Sequence, residues 1–301
     1  MRVASLLPSA TEIVFALGAG AELVAVSEKC DYPAEAAQLP VVVRARLDDS
    51  CPQGEIDAEV NRLMAAGESL YEVDTAALAR LECDLILTQD VCHVCAASPS
   101  DLASGQCSAN VLSLHPSRLD DVWDDIERIG TAIGRQPQAT ALANRLRVRT
   151  QPVAVSPAAP LRVLGLEWFD PPFIAGHWVP DMIARAGGVD VLGIAGEPGY
   201  ACTWDRVLAS DPDVIVLMPC GYHLDEVEQQ ANSFAWPDGW QHLRAVRGGH
   251  VYLVDASGQF SRHGPRLADG LETLREIVAD VRHPGASSSS AWRRMAVSHP
   301  E

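Results

Sequence analysis

The 301-residue sequence has little basic charge and almost no lysine. Asp and Glu number 40 against 23 Lys and Arg, the net charge is −17 at pH 7, and Lys29 is the only lysine. A chain this acidic repels the phosphate backbone of nucleic acids and the headgroups of anionic membranes, so we expect neither as a partner. No run reaches about 18 apolar residues, so we also expect no direct insertion into a membrane.

Sequence motifs of the common enzyme classes are missing too. The chain has no phosphate-binding loop and no paired-acid motif, and we find no Ser-His-Asp arrangement that would support hydrolysis. We therefore expect a protein that is not an enzyme. The alternative is a thiol redox enzyme that uses Cys92 and Cys95, the C-x-x-C pair of the sequence.

The N-terminus does not have the pattern of a secretory signal. One arginine precedes an apolar segment, but Pro8, Ser9 and Glu12 interrupt the apolar core that a signal peptide needs. We therefore expect a cytoplasmic location for the sequence as encoded, and a periplasmic or extracellular location if translation starts upstream.

Apolar runs alternate with amphipathic helical patterns, which is typical of α/β folds with parallel sheets. Two stretches are alike, AALARLECDLILTQDVC ending at Cys92 and WDRVLASDPDVIVLMPC ending at Cys220. In both, a helical pattern leads to an aspartate, an apolar strand and a cysteine. A duplicated α/β unit explains this repeat. It predicts two similar α/β lobes with parallel sheets, joined by one helix.

The predicted boundaries follow from this repeat. We expect an N-terminal lobe at 1–136, a bridging helix at 137–152, a C-terminal lobe at 153–282 and a disordered tail at 283–301. The tail is assigned because it is rich in serine and low in apolar residues. Parallel sheets bind ligands outside the carboxyl ends of their strands, so two facing lobes predict a ligand cleft between them.

Several of the eight cysteines directly follow predicted strands. Thiolates suit zinc and iron–sulfur clusters, and four of them complete a closed tetrahedral site. The candidate metal ligands are Cys30, Cys92, Cys95 and Cys220, with His93 and His223 as alternatives. Free cysteines are also common as small apolar residues of a core. Spacing alone leaves a metal site, a redox pair and core packing open.

Five motifs, taken in order, resemble one known family. They are SLLPSATEIV from Ser5, CDYP from Cys30, DLILTQ from Asp84, DPPF from Asp170 and FSRHGPR from Phe260. They resemble the cobalamin (vitamin B12) periplasmic-binding-protein-like family, of the helical-backbone (class III) ABC-transporter substrate-binding proteins, over about residues 1–282. The resemblance implies two Rossmann-like lobes, a rigid bridging helix and a ligand held between the lobes without reaction.

The resemblance also implies a function and a set of contacts. The function is non-enzymatic binding of a cobalamin-like or other metal-bearing small ligand, with an ABC-transporter permease as partner. Aromatic side chains would hold a flat macrocycle. From their own chemistry, the arginines are candidates either for binding carboxylate or phosphate groups of a ligand or for pairing with neighbouring acids. The predicted ligand-binding residues are Arg44, Arg46, Gln89, Trp168, Phe169, Tyr200 and Arg262. The alternative function is a zinc or iron–sulfur protein, for sensing, storage or delivery, or a thiol redox protein, built on the cysteines.

Overall fold

The computed structural model describes residues 1–91, 96–102, 109–154, 159–285 and 290–296. The chain divides into two compact units. Unit 1 comprises Met1–Pro116 and Asp120–Arg147, and unit 2 comprises Ser117–Leu119 and Val148–Glu301. Both are α/β units, which confirms the predicted fold class. No helix of the described residues is long and apolar enough to span a bilayer.

The sheet of unit 1 has six strands. They are β1 Val3–Ser5, β2 Leu23–Ser27, β3 Val41–Ala45, β4 Tyr71–Val73, β5 Leu85–Gln89 and β6 Asn110–Leu114, in the spatial order β4-β3-β2-β1-β5-β6. All pairs are parallel except β3 with β4. The sheet is therefore mixed, where the sequence predicted a parallel one.

The helices of unit 1 have recognisable start signals. They are α1 Pro8–Ala16, α2 Gln53–Ala65, α3 Thr75–Arg80, α4 Leu119–Ala132 and α5 Gln136–Arg149. Pro8 takes the first helical position of α1, where its missing N–H is not needed. The Asp74 carboxylate caps α3 by accepting from the Ala77 N–H. The segment predicted as a bridging helix is α5, and the boundary between the units lies after Arg147.

Unit 2 holds a seven-stranded mixed sheet. Its strands are β7 Leu161–Phe169, β8 Pro172–Ile174, β9 Gly188–Asp190, β10 Tyr200–Ala201, β11 Val214–Leu217, β12 Val251–Val254 and β13 Trp292–Arg294. The spatial order is β10-β8-β7-β11-β12-β13, and β9 pairs with β7. Strands β7, β11 and β12 run parallel, whereas β8, β10 and β13 are antiparallel to their neighbours.

Six α-helices of the described part of unit 2 accompany this sheet. They are α6 Val179–Arg185, α7 Trp204–Ser210, α8 Leu224–Ser233, α9 Arg244–Arg247, α10 Ala256–Gln259 and α11 Leu267–Arg282. Buried side chains of β7, β11 and β12, such as Leu164, Ile215 and Leu253, form the centre of the unit 2 core. Full burial of each such side chain stabilises the fold by roughly 1.5–3 kcal/mol.

The repeat seen in the sequence is present in the hydrogen bonds of both units. In unit 1 the Arg2 N–H donates to Asp84 at 2.7 Å, and the Asp84 N–H donates to the Arg2 carbonyl at 2.8 Å. In unit 2 the Arg162 N–H donates to Asp213 at 2.9 Å, and the Asp213 N–H donates to the Arg162 carbonyl at 2.8 Å. The same pair of residues thus joins two central strands in each unit.

The prediction of a disordered tail is wrong for residues 290–296. There Trp292–Arg294 forms β13, antiparallel to β12. Serine content suggested disorder, but the segment also carries Trp292, which is buried, and Met295, which packs against the unit 2 core. These apolar contacts offset the entropy that a serine-rich chain loses on ordering.

Candidate ligand-binding site

The end of β7 and the segments that follow β11 and β12 meet at the carboxyl ends of the parallel strands of unit 2. The Cys220 N–H, after β11, donates to the Glu167 carbonyl of β7 at 2.9 Å. The Ser257 N–H, after β12, donates to the Tyr222 carbonyl at 2.9 Å. The Gly221 N–H donates to the Ser261 hydroxyl at 3.3 Å. We call this surface the unit 2 edge; its residues are Trp168, Cys220, Tyr222, His223, Asp255, Ser261 and Arg262.

Two half-buried aromatic rings lie together on the unit 2 edge. The Trp168 and Tyr222 ring centroids are 5.6 Å apart and the planes are tilted by 38°. Trp168 also stands opposite Phe173 in the β7–β8 pair, so the strand register fixes its backbone. Partly exposed rings held in this way offer a rigid apolar wall to a flat ligand.

Phe169 was predicted as a ligand contact, and the structure contradicts this. Its ring is fully buried in the unit 2 core, 5.7 Å from the Phe234 ring and 5.4 Å from the Trp236 ring. Successive residues of a strand point to opposite faces of the sheet. Trp168 and Phe169 therefore serve different surfaces although they are neighbours in sequence.

Tyr200 and Asp190 hold the loop between β9 and β10. The Tyr200 hydroxyl donates to the Leu192 carbonyl at 3.0 Å, and the Arg206 guanidinium lies 5.1 Å from the Tyr200 ring centre. Asp190 Oδ1 accepts from the N–H groups of Leu192 and Gly193 at 3.0 and 2.6 Å. Tyr200, a predicted ligand residue, thus has a structural role in this loop.

Asp190 is a residue that the sequence reasoning missed. Its Oδ2 is buried and finds no hydrogen-bond partner among the described residues. Burial raises the pKa of Asp190 to about 6, against the lowering effect of the two backbone N–H donors. An aspartate two and three residues before its N–H donors is the signal of an Asx turn, which could have indicated the turn but not the burial.

Two histidines of unit 2 were also missed. Burial lowers the pKa of His263 to about 4, and burial likewise lowers the pKa of His177. The Trp178 ring centroid lies 5.5 Å from the His177 ring and 5.7 Å from the His263 ring, while its Nε1–H donates to the Phe260 carbonyl at 2.8 Å. Both imidazoles are therefore neutral at pH 7 and belong to a packed aromatic group.

In unit 1 the predicted site residues lie at the ends of β3 and β5. Arg44 and Arg46 are exposed, and form long ion pairs with Glu28 at 3.8 Å and Glu68 at 3.5 Å. Exposed pairs at these distances are weak, so the guanidinium groups retain the ability to bind an anionic group of a ligand. Gln89 is the last residue of β5, and it is buried.

Unit 1 also presents an aromatic ring that the sequence reasoning passed over. Tyr32 follows β2 in the CDYP motif and is 50 % exposed. The loops that follow parallel strands are where such sheets bind ligands, and Tyr32 lies in the loop after β2. Its place inside a quoted family motif was the signal that could have identified it.

The structure does not bring the predicted metal ligands together among the described residues. Cys92, His93 and Cys95 lie outside the described residues. Cys30 is 2 % exposed, and its sulfur lies 3.2 Å from the Thr11 hydroxyl, so it is a core residue. No group of three or more His, Cys, Asp or Glu that could hold a metal occurs among the described residues. The zinc and iron–sulfur predictions thus find no support there.

His223, the alternative metal ligand of unit 2, has protein partners. Its Nδ1 lies 3.1 Å from Asp255 Oδ1, and its backbone N–H donates to Glu226 at 2.7 Å in the first turn of α8. These contacts fix the ring at the start of α8, next to Tyr222.

Comparisons with known proteins agree with this architecture. The family model described as periplasmic binding protein matches residues 3–257. This chain belongs to the periplasmic binding protein family. A vitamin B12-binding protein of Vibrio parahaemolyticus is 36 % identical over 93 % of this chain and 90 % of its own length. The ABC transporter substrate-binding lipoprotein YvrC of Bacillus subtilis is 24 % identical over 92 % of this chain and 79 % of its own.

A solved structure extends the comparison to the fold. A periplasmic heme binding protein from Pseudomonas aeruginosa superimposes with a TM-score of 0.69 at 20 % identity, over 99 % of each chain. Members of the periplasmic binding protein family are binding components of transporters. This chain is therefore a non-enzymatic binding protein, as predicted from its lack of catalytic motifs. The family is one of periplasmic proteins and lipoproteins, so the predicted cytoplasmic location is not confirmed.

Proposed function

We propose that this chain is the substrate-binding protein of an ABC transporter for a tetrapyrrole ligand, either a corrin or a porphyrin. Relatives named as vitamin B12-binding and heme-binding proteins support the ligand class. The observation that carries the proposal is the pair of half-buried rings, Trp168 and Tyr222, on the unit 2 edge. In this role the chain works outside the cytoplasmic membrane and delivers its ligand to a permease.

The chemistry of the wall suits a large flat ligand. A tetrapyrrole binds chiefly through apolar area and ring stacking, and an aromatic pair supplies both at low entropic cost. Tyr32 offers a further exposed ring in the loop after β2. Arg44, Arg46 and Arg262 are the cations available for carboxylate or phosphate groups at the rim of the ligand.

The test is a titration of the purified protein with hemin and, separately, with cyanocobalamin. Binding is measured by the visible absorption of the macrocycle and by quenching of tryptophan fluorescence. We expect one of the two to bind at one per chain. Replacing Trp168→Ala should weaken that binding roughly tenfold, about 1.4 kcal/mol, because half of the wall is lost.

Trp236→Ala is the matched control. Trp236 is also half-buried, but it lies beyond the far end of α8 and packs on Trp240 with centroids 4.0 Å apart. Its loss should leave the affinity within about twofold, because it lies outside the wall. Failure of both macrocycles to bind would refute the proposal, and so would equal effects of the two substitutions.

A further inference from the structure

The strand β13 lies beyond the stretch that the family model matches, which ends at residue 257. It pairs antiparallel with β12, with Tyr252 opposite Arg294 and Val254 opposite Trp292, and the Met295 N–H donates to the Val251 carbonyl at 2.9 Å. It therefore covers the backbone edge of β12, which would otherwise present unpaired hydrogen-bonding groups.

Trp292 and Arg294 contact α11 and Tyr252 on one face of the sheet. The Trp292 Nε1–H donates to Glu276 at 3.2 Å, and its ring packs edge-on against Tyr252 with centroids 5.2 Å apart. Arg294 donates to Asp280 from Nε at 3.1 Å and from Nη2 at 2.5 Å. Asp280 is buried, so Arg294 is the cation that compensates its charge.

Arg293 points to the opposite face and contacts α8. It donates from Nη1 to Glu228 and from Nη2 to Asp225, both at 2.6 Å. These two acids lie in the first turns of α8, which begins immediately after His223. The alternation of a strand thus directs one arginine to α11 and the next to α8.

Helix α8 begins directly after two residues of the unit 2 edge. Its N-terminal residue is preceded by Tyr222, half of the aromatic wall, and by His223, which contacts Asp255 at the end of β12. Strand β13 is therefore attached to the same two elements, β12 and α8, that carry one side of this surface.

We infer that Arg293 is a positioning residue which, held in place by the Arg294–Asp280 pair, fixes the start of α8 and the Tyr222–His223 turn for ligand binding. The functional half of this inference rests on the proposed function. The mechanical half does not, since it concerns the unliganded protein.

The mechanical half is tested by hydrogen–deuterium exchange of the unliganded full chain, read on peptides covering residues 218–228. Arg293→Ala should raise the exchange rate there about two- to fivefold, the range expected when an exposed ion-pair network is lost. Arg293→Lys should recover part of the protection, because one ammonium group reaches one acid at a time. Peptides of residues 1–91 should be unaffected in both variants.

Two further variants sharpen the result. Arg294→Ala should raise exchange in both β12 and 218–228 by more than Arg293→Ala does, because a buried carboxylate loses its cation. Arg247→Ala removes an exposed arginine of the same unit from the end of α9, and should change neither region. Unchanged exchange of 218–228 in Arg293→Ala would overturn the inference.

The functional half is read from the affinity for hemin or cyanocobalamin, whichever the wild-type chain binds. Arg293→Ala should weaken it by about the same two- to fivefold, and Arg293→Lys by less. Raised exchange with an unchanged affinity would overturn the positioning role. If the wild-type chain binds neither macrocycle, the proposed function fails, and the exchange data still decide whether β13 fixes the turn.

Discussion

The two units repeat one hydrogen-bonded arginine–aspartate pair between central strands, yet the side chains at the carboxyl ends of their strands differ in chemistry. Arg2 with Asp84 and Arg162 with Asp213 make the same pair of hydrogen bonds, one from the arginine N–H to the aspartate carboxylate and one from the aspartate N–H to the arginine carbonyl. At the carboxyl ends of the strands, unit 1 presents Arg44, Arg46 and Tyr32, while unit 2 presents the Trp168–Tyr222 wall. Repeated backbone geometry thus carries different side chains, and the side chains decide what each unit can bind.

The tryptophans follow the same division. Of the seven in the chain, all but Trp123 belong to unit 2. Trp123 is fully buried on α4, so it serves the core of unit 1. The tryptophans that are partly exposed, such as Trp168, therefore all lie in unit 2.

Each unit has an aspartate in an Asx turn, and the two aspartates differ in burial and in the direction of their pKa shift. In unit 1, Asp48 is exposed, and hydrogen bonds from the Ser50 side chain and N–H lower its pKa. In unit 2, Asp190 accepts two backbone N–H groups, yet desolvation raises its pKa to about 6. The same turn geometry gives opposite pKa shifts because one carboxylate is hydrated and the other is not.

The largest effect should come from Phe169→Ala in unit 2. Truncating a fully buried phenylalanine leaves a cavity, and the free energy of unfolding should fall by about 3–5 kcal/mol. Urea unfolding followed by circular dichroism measures this change. A stable Phe169→Ala variant with weakened macrocycle binding would return Phe169 to the ligand wall and remove the distinction from Trp168.

The next effect concerns Asp190 and pH. Its unfolded-state pKa is near the ordinary aspartate value of 3.8 and its folded-state pKa is about 6, so the native state binds the proton more tightly. The associated stability is fully present below about pH 4 and is lost as pH rises through 6. Asp190→Asn should therefore raise the free energy of unfolding at pH 8 by about 2–3 kcal/mol, and less at pH 4.

Asp48→Asn provides the matched comparison in unit 1. Asp48 has the opposite pKa shift and is exposed, so this substitution should bring no gain in unfolding free energy at pH 8. Equal behaviour of the two variants between pH 4 and pH 8 would show that burial does not distinguish the two turns.

A smaller effect is expected for the cysteines. Cys30→Ala should lower the free energy of unfolding by about 1 kcal/mol, because a buried sulfur and its contact with Thr11 are lost. Cys220→Ala, at the partly exposed unit 2 edge, should change it by less than about 0.5 kcal/mol. Metal analysis of anaerobically purified protein is the decisive control. Stoichiometric zinc or iron that disappears in either variant would revive the cysteine metal site.

The smallest effect should follow removal of the unit 1 arginines. The double variant Arg44→Ala with Arg46→Ala loses only exposed pairs, so its unfolding free energy should change by less than about 0.5 kcal/mol. Its affinity for the bound macrocycle should fall about two- to fivefold if the ligand carries carboxylates. An effect larger than that of Trp168→Ala would reverse the ranking of the two units.

Much of the fold was accessible from the sequence, and part of the site was. Alternating apolar runs predicted α/β units, and the strand-exit argument placed Trp168 and Cys220 where parallel strands end. The same argument could not separate Trp168 from Phe169, because neighbouring strand residues face opposite sides and only the packed helices show which side is buried. Composition assigned Trp292 to a disordered tail, because it counts serines and takes no account of a nearby sheet edge.

Local patterns determined the secondary structure, the repeat and the family motifs of this protein, because periodicity and capping depend on residues close in sequence. Tertiary structure alone decided which aspartate is desolvated, which aromatic ring stays accessible and where the last strand pairs. Those properties depend on groups distant in sequence: Asp190 acquires its raised pKa, and Arg294 its buried partner Asp280, only when distant segments exclude water around them.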